Sequence, residues 1–525
     1  MKNLFSREAI ARPPRLRAAL ALAAGAASVL GYSPFDFFPI ALAATVLLVH
    51  LWMSAQTARA AAWSGFWYGL GQFGAGVSWV YVSIHEYGNA PPWLAVLLVA
   101  LFVAGLALFT TANGWLFVRI RNVRSRQTKA SAPMSDAISA AWFVVLFVGF
   151  EWLLTWFLTG FPWLLLGYAF LDTPLAGLAP LGGVLLMSLF AVTTAVAFVL
   201  LARAVRGGLW LTDAFTWPAT LLLLLVLLPW LIGAGLAQVQ WSTQGQARTA
   251  ALMQGNVAQS VKWQPETRDP IIDRYLSLTE PHWGTDLILW PEAALTVFAH
   301  EAPELLARLD RRGRDTGSGL ILGIPGVEVR PGNEVVFHNT TIGLGTASGR
   351  YVKRRLVPFG EYVPLEALLR GLIAFFDLPM SHAEAGDWQQ PLLSIEGRPA
   401  AMAICYEVVY PGLMRADADV LLTVSNDTWF GDSIGPRQHL QMARMRALEN
   451  GRWLLRATND GITAIVDPQG RVTARLPRSE QGVLTGEYHS MAGRTPYNRF
   501  GEIPLLVLLV VAAVLLVLGP RRARA

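Results

Sequence analysis

The sequence predicts a membrane bundle of eight helices, interrupted before its last member by an α/β domain, and three observations predict it. Hydrophobic residues make up 54% of the 525 and charged residues only 15%. The mean hydropathy of +0.41 lies far from that of a typical soluble enzyme. Apolar runs of about 20 residues, the length that crosses a bilayer, recur through the first half and once more near the C-terminus. Residues 239–500 have a different texture, with most of the acidic residues, many turn signals and short apolar runs of strand length.

The expected spans are 16–34, 37–54, 60–84, 91–118, 138–160, 176–203, 216–238 and 503–519. The first has the look of a cleaved leader, but a second span follows almost at once, so it reads as retained. The predicted division is therefore 1–238 for a seven-helix bundle, 239–500 for an extramembrane domain, and 501–525 for an eighth span with a basic tail. A segment of about 260 residues is long enough to bury its own core.

Charge orients the chain. Lys2, Arg7, Arg12, Arg15 and Arg17 precede the first span, and Arg119, Arg121, Arg124, Arg126 and Lys129 fill the loop between the fourth and fifth. Arg203 and Arg206 follow the sixth span, and Arg521, Arg522 and Arg524 the eighth. Intervening loops such as "IHEYGNAPP" carry almost no Lys or Arg. The positive-inside rule then puts both termini in the cytoplasm and the α/β domain on the opposite face. The net charge of +6 mainly reflects these flanks and is no nucleic-acid footprint.

Three short motifs carry little. "GLGQFG" at 69–74 follows no strand, and Gly65 with Gly69 reads better as a close helix contact. The eight histidines show no metal-ligand spacing, so no metal is expected. Asn339-Thr-Thr fits a glycosylation acceptor, a match too short to weigh.

Within the domain, 249–254, 286–290, 319–324, 400–404, 419–424 and 453–458 are near-continuously apolar, the pattern of strands buried on both faces. Helices are expected near 266–280, 301–315 and 437–450, and a hairpin around "GTASG". Polar residues stand where such strands end. Cys405, the only cysteine, follows "AAMAI" and Glu292 follows "DLILWP", while Lys353 lies on the second hairpin arm.

One cysteine makes no internal disulfide and too poor a zinc site, so Cys405 is either a buried hydrophobe or a nucleophile. A carboxylate, an ammonium and a thiol suffice for acyl transfer: the carboxylate takes the thiol proton, the thiolate attacks a carbonyl, and the ammonium steadies the oxyanion. Singly, Glu292 could decorate a helix's first turn and Lys353 could be a solvated charge. Spacing leaves both open.

Longer blocks go further. "ILWPEAAL", "YVKRRLVPFGEYVP", "AMAICYEVVYPGL" and "SNDTWFGDSIGPRQHLQMARMRALENGRWLLRATNDGIT" resemble the carbon–nitrogen hydrolase (nitrilase) superfamily, and in particular its membrane-embedded branch, the apolipoprotein N-acyltransferases. The resemblance implies a nitrilase-like α-β-β-α sandwich, with Glu292 as general base, Lys353 as oxyanion stabiliser and Cys405 as nucleophile. It also implies an essential Glu361 orienting Lys353, supporting Tyr406 and Glu407 beside the nucleophile, and Trp263 on a substrate-side loop. The implied donor is a membrane phospholipid and the implied acceptor a diacylated apolipoprotein, with no cofactor. The implied location is the bacterial inner membrane, with the catalytic domain on the periplasmic side. The apolar face of 364–380, built on Leu365, Leu368, Leu369, Leu372, Ile373 and Phe376, reads as an interfacial lid in this setting. Two rivals are a membrane-anchored amidase, for which one span would suffice, and a transporter, which would place more ionisable residues at mid-membrane than Glu151 alone.

Overall fold

The computed structural model describes residues 14–127, 132–206, 217–332, 334–358, 360–362 and 383–519. The segment 364–380 read as a lid lies outside the described residues, as do Lys2, Arg7, Arg12, Lys129 and the basic residues after 519. The chain forms two compact units, one of Met1–Ser78, Val96–Val239 and Phe500–Ala525, the other of Trp79–Ala95 and Gln240–Arg499.

The first unit is helical. Three helical stretches, Pro92–Arg124, Met134–Leu154 and Pro174–Val205, are long and apolar enough to cross a membrane, and Phe38–Met53, Thr220–Leu236 and Ile503–Leu518 are shorter apolar helices. The expected first and third spans come out as Pro14–Ser28 and Ala58–Gly76. Both are rich in small residues because they pack closely. A Cβ on Gly25 would overlap the Tyr68 carbonyl, one on Gly71 the Leu22 carbonyl, and one on Gly65 or Gly69 the Thr110 turn. The glycine pair thus serves helix contact.

The third helix stops at Gly76, short of the expected residue 84, and residues 79–95 join the second unit instead. Here specific partners outweigh local hydropathy. Trp79 meets Phe430 with ring centroids 4.6 Å apart, Tyr87 meets Trp429 at 5.6 Å, and Ser83 Oγ donates to the Trp429 carbonyl at 2.7 Å.

The second unit is built on two sheets. In chain order the strands are β1 (Thr243–Gln254), β2 (Leu287–Leu289), β3 (Gly319–Arg330), β4 (Glu334–Gly345), β5 (Ala347–Ser348), β6 (Arg350–Val352) and β7 (Leu393–Ile395). They continue with β8 (Arg398–Ile404), β9 (Val420–Ser425), β10 (Leu454–Thr458), β11 (Ala464–Val466), β12 (Val472–Arg475) and β13 (Gly482–Ala492). One sheet runs β13-β1-β2-β3-β4-β6 and the other β12-β11-β10-β9-β8-β7-β5.

Side chains alternate between strand faces, and here both faces are covered. Ala250, Leu252, Leu289 and Ile321 of the first sheet pack with Met402, Ile404, Leu422 and Leu455 of the second in one core. Their neighbours Ala251, Met253, Ile288 and Leu320 face outward onto Ile271, Tyr275 and Leu309 of the helices Arg268–Thr279 and Pro303–Thr316. Helix Gly435–Asn450 covers the second sheet through Leu440 against Ile462 and Ala464. This is an α-β-β-α sandwich, and the six expected strands and three expected helices are all present.

The hairpin differs in one respect. After β4 the chain turns at Gly345, with φ of +70°, and leaves its sheet so that Ala347 and Ser348 pair with β7 of the other. It turns again at Gly349, with φ of +100°, and returns as β6 beside β4. Both turns use the left-handed region that glycine enters freely.

Candidate active site

Parallel strands end together, and those ends gather the polar residues. Glu292 lies just past β2, where Trp290 N–H still bonds Ile321 of β3 at 2.9 Å. The turn is tight against β3, since a Cβ on Gly323 would sit 2.6 Å from the Ala293 nitrogen. Cys405 follows β8, and its neighbour β9, paired as Ile404 opposite Val424, ends one step later at Ser425, with Asn426 next. Lys353 extends β6: its N–H bonds the Asn339 carbonyl at 2.9 Å, so the two residues stand opposite each other across the ladder.

Three of the expected residues form one buried charge cluster. Lys353 Nζ donates to Glu361 Oε1 at 2.7 Å and to Glu292 Oε1 at 3.3 Å, with Lys353 only 1% exposed. Asn339 bridges the same carboxylates, its Nδ2 donating to Glu292 Oε1 at 2.7 Å and to Glu361 Oε1 at 3.2 Å. The second oxygen of each is also held, Glu292 Oε2 by the Asn426 N–H at 2.9 Å and Glu361 Oε2 by the Val357 N–H at 2.8 Å. Burial works against the Lys353 charge, but Glu292 and Glu361 outweigh it and hold the ammonium well above its ordinary pKa.

The Cys405 backbone takes φ of +52°, uncommon for a residue with a side chain. Burial pushes its thiol pKa up and Glu292 adds to the rise, while Lys353 opposes it. Burial and Glu292 together favour the protonated thiol at rest. Iodoacetamide alkylation of Cys405 should therefore still be climbing above pH 9, past the ordinary cysteine value of about 8.5. A plateau near pH 7 in the rate–pH curve would show a pre-formed thiolate instead.

Glu407 is fully buried and turned into the protein. Its carboxylate accepts from Tyr351 Oη at 2.9 Å, from the N–H groups of Arg354 at 2.7 Å and Arg355 at 3.1 Å, and from Ile404 N–H at 2.8 Å. It ties the strand end carrying Lys353 to the one carrying Cys405. Tyr406 is buried edge-on to Tyr410, with ring centroids 5.2 Å apart.

Trp263 lies 39% exposed on the wall of a cavity of about 1020 Å³ that reaches Asn339 and Glu361 and is also lined by Phe298, Trp429 and Asp460. Its neighbour Lys262 is buried and donates to the Glu292 carbonyl at 3.3 Å. Burial lowers that lysine's pKa to about 8, against the pull of Glu292 and Asp460. Asn339, Asn426 and Lys262 escaped the sequence reading. Asn339 was visible only as a glycosylation triplet, and the other two act through or upon backbone groups. Among the described residues no group of three or more His, Cys, Asp or Glu side chains could hold a metal ion.

Comparison with known proteins agrees with both halves of this architecture. Residues 24–197 match the family model of the apolipoprotein N-acyltransferase N-terminal domain, and residues 249–497 match that of carbon-nitrogen hydrolases. Among solved structures, the C. elegans NitFhit protein is 15% identical with a TM-score of 0.37, over 53% of this chain and 65% of that one. The carbon-nitrogen hydrolase from Helicobacter pylori G27 is 14% identical with a TM-score of 0.34, over 46% and 88%. Relatives in sequence are much nearer. An apolipoprotein N-acyltransferase of Vibrio cholerae is 40% identical over 517 residues, 95% of this chain and 96% of that one. One of Pseudomonas paraeruginosa is 45% identical over 519 residues, 98% of each chain. With likeness of that degree from end to end, the chain belongs to the apolipoprotein N-acyltransferase family.

Proposed function

We propose that the protein moves a fatty acyl chain from a membrane phospholipid, through a thioester on Cys405, to the N-terminal amine of diacylglyceryl-cysteine in apolipoproteins. The observation that carries this reading is the buried cluster in which Lys353 bonds both Glu292 and Glu361, beside a strained cysteine, in a chain of this family. Glu292 takes the thiol proton, and the sulfur attacks the ester carbonyl. The carbonyl oxygen gathers negative charge against Lys353, the carbon–oxygen bond breaks, and Glu292 returns the proton to the departing lysophospholipid. The acceptor amine then attacks the thioester. Its proton passes through Glu292 to the leaving sulfur, which closes a ping-pong cycle.

In this proposal Glu361 holds Lys353 in place, Glu407 fixes the turn between Lys353 and Cys405, and Trp263 with Tyr406 borders the substrates. The three long apolar stretches, the three shorter apolar helices and the helices Pro14–Ser28 and Ala58–Gly76 together support a bundle of eight spans, in the division 1–238, 239–500 and 501–525. The basic flanks support cytoplasmic termini in a bacterial inner membrane, with the catalytic domain facing the periplasm.

One experiment tests chemistry and sidedness together. Spheroplasts producing the protein receive a diacylated lipopeptide with a membrane-impermeant head, and products are read by mass spectrometry. Triacylated lipopeptide and an equal amount of lysophospholipid are expected. Free fatty acid alone would indicate a hydrolase, and product formed only after the membrane is opened would reverse the orientation.

A further inference from the structure

Behind the Cys405 turn lies a second buried polar cluster that the chemistry above leaves unused. Asp427 follows β9, His439 sits on helix Gly435–Asn450, Arg456 is on β10, and all three are fully buried. Arg456 Nη2 donates to Asp427 Oδ2 at 2.7 Å, and Ser425 Oγ donates to Asp427 Oδ1 at 2.5 Å. His439 Nδ1 lies 3.1 Å from both Asp427 Oδ1 and Arg456 Nη2. Its other nitrogen, Nε2, lies 3.1 Å from the carbonyl oxygen of Cys405. A carbonyl oxygen can only accept, so Nε2 carries a proton and donates in either charge state of the ring. Burial and the Arg456 charge hold the imidazole below its ordinary pKa, against the pull of Asp427, which favours the neutral form with its proton on Nε2.

This cluster converges on a strained residue. A left-handed conformation at a residue with a side chain, as at Cys405, persists only where the surroundings enforce it. The Cys405–Tyr406 peptide is trans and therefore planar. A carbonyl drawn back toward His439 turns the Tyr406 N–H the opposite way, away from the buried helix. That N–H belongs to the opening of the short helical turn Cys405–Val409, where the first amides have no partner within the turn itself.

We infer that His439 is a positioning residue for acyl transfer: its Nε2–H locks the Cys405 carbonyl and so presents the Tyr406 N–H, together with Lys353, to the developing oxyanion. Arg456, itself held by Asp427, donates to Nδ1 and fixes the plane of the ring. The inference rests on the acyl-transfer reading above. Without the Nε2 donor the Cys405–Tyr406 peptide is no longer held in its plane, and the oxyanion loses one of two donors while the thiol remains.

Two substitutions separate this from a general structural role. A glutamine places its amide nitrogen near the position of Nε2, whereas an asparagine reaches only as far as Nδ1. Formation of the acyl-enzyme from phospholipid is timed in detergent for wild type, His439→Gln and His439→Asn, with thermal unfolding as the control for fold. His439→Gln should keep kcat within about fivefold of wild type, and His439→Asn should lose about 100-fold, the usual effect of one oxyanion donor. KM for phospholipid should change little in either. Iodoacetamide should alkylate Cys405 at the wild-type rate in both, because that displacement develops no oxyanion.

Equal kcat for the two variants, or alkylation falling in step with kcat, would overturn the inference. Should His439→Asn fail to fold, a folded His439→Gln that has lost about 100-fold does the same. A positioning donor also predicts that His439→Gln keeps the wild-type pH profile; loss of a limb would make His439 a proton carrier instead. Absence of any acyl-enzyme in wild type would refute the acyl-transfer reading itself, a separate result.

Discussion

Wild-type protein given phospholipid and no acceptor should accumulate one acyl group on Cys405, and hydroxylamine should release it. Cys405→Ser should carry no such adduct and turn over essentially nothing, because a serine hydroxyl stays protonated where a thiol can ionise. Loss of an essential nucleophile costs on the order of 10⁶ in rate in a serine protease, so this is the largest effect expected. Glu292→Gln should fold yet fail to acylate, since an amide cannot take the thiol proton that burial holds in place. Intact-mass spectrometry before and after hydroxylamine reads all three proteins. A wild-type adduct that survives hydroxylamine, or an active Cys405→Ala, would return the cysteine to ordinary packing.

Lys353→Met should damage both rate and stability. An oxyanion donor contributes about 3–4 kcal/mol, or 10²–10³ in rate, and in the proposed cycle both half-reactions pass through an oxyanion. The same ammonium neutralises Glu292 and Glu361 at 3.3 and 2.7 Å. Removing the cationic partner of buried carboxylates typically costs about 3–5 kcal/mol. The folded pKa of Lys353 is raised, so its pairing stabilises the fold fully below the unfolded lysine value. That contribution is lost only as pH rises through the higher folded value, and a neutral buffer reports the whole of it. Thermal unfolding and acyl-enzyme formation, both at pH 7, measure the two effects. A variant as stable as wild type and within tenfold of its rate would show that the carboxylates find another cation.

Residues whose role is local could be read directly from the chain. The strands announced themselves because both faces are buried, so alternation gives way to runs such as Leu320, Ile321 and Leu322. Glu292 and Cys405 stood where such runs stop. Asn339 could not be read this way. Its role comes from standing opposite Lys353 in an antiparallel ladder, a relation set by register across a hairpin and by no neighbouring residue. Asn426 contributes a backbone N–H, which every residue has, and His439 touches a backbone carbonyl 34 positions away. Glu407 was expected beside Cys405 for its place in the motif, yet its carboxylate is spent on Tyr351 and on the backbone of the turns. The early stop of the third helix was hidden for a related reason. Val77 to Ile84 is apolar enough to continue a span, and what draws it elsewhere is a pair of aromatic residues more than 340 positions downstream.

The short excursion of Ala347 and Ser348 to the second sheet works as an indexing pin. The pairing of Ala347 with Ile395 and of Ser348 with Ser394 helps to set the phase between two layers whose facing surfaces are largely apolar, alongside polar ties such as Glu407 to Tyr351 and the Asn426 N–H to Glu292. Apolar contacts are non-directional and tolerate sliding, whereas a hydrogen-bonded register comes only in whole residues. Glu292 and Lys353 belong to one layer and Cys405 to the other, so the spacing of thiol, carboxylate and ammonium depends in part on the count of residues from Gly345 to Gly349. A substitution in that interval changes a side chain, but an inserted or deleted residue would shift Lys353 by one place and turn it to the opposite face. Activity should therefore survive a change of composition at Thr346 or Ser348 far better than a change of length in this turn.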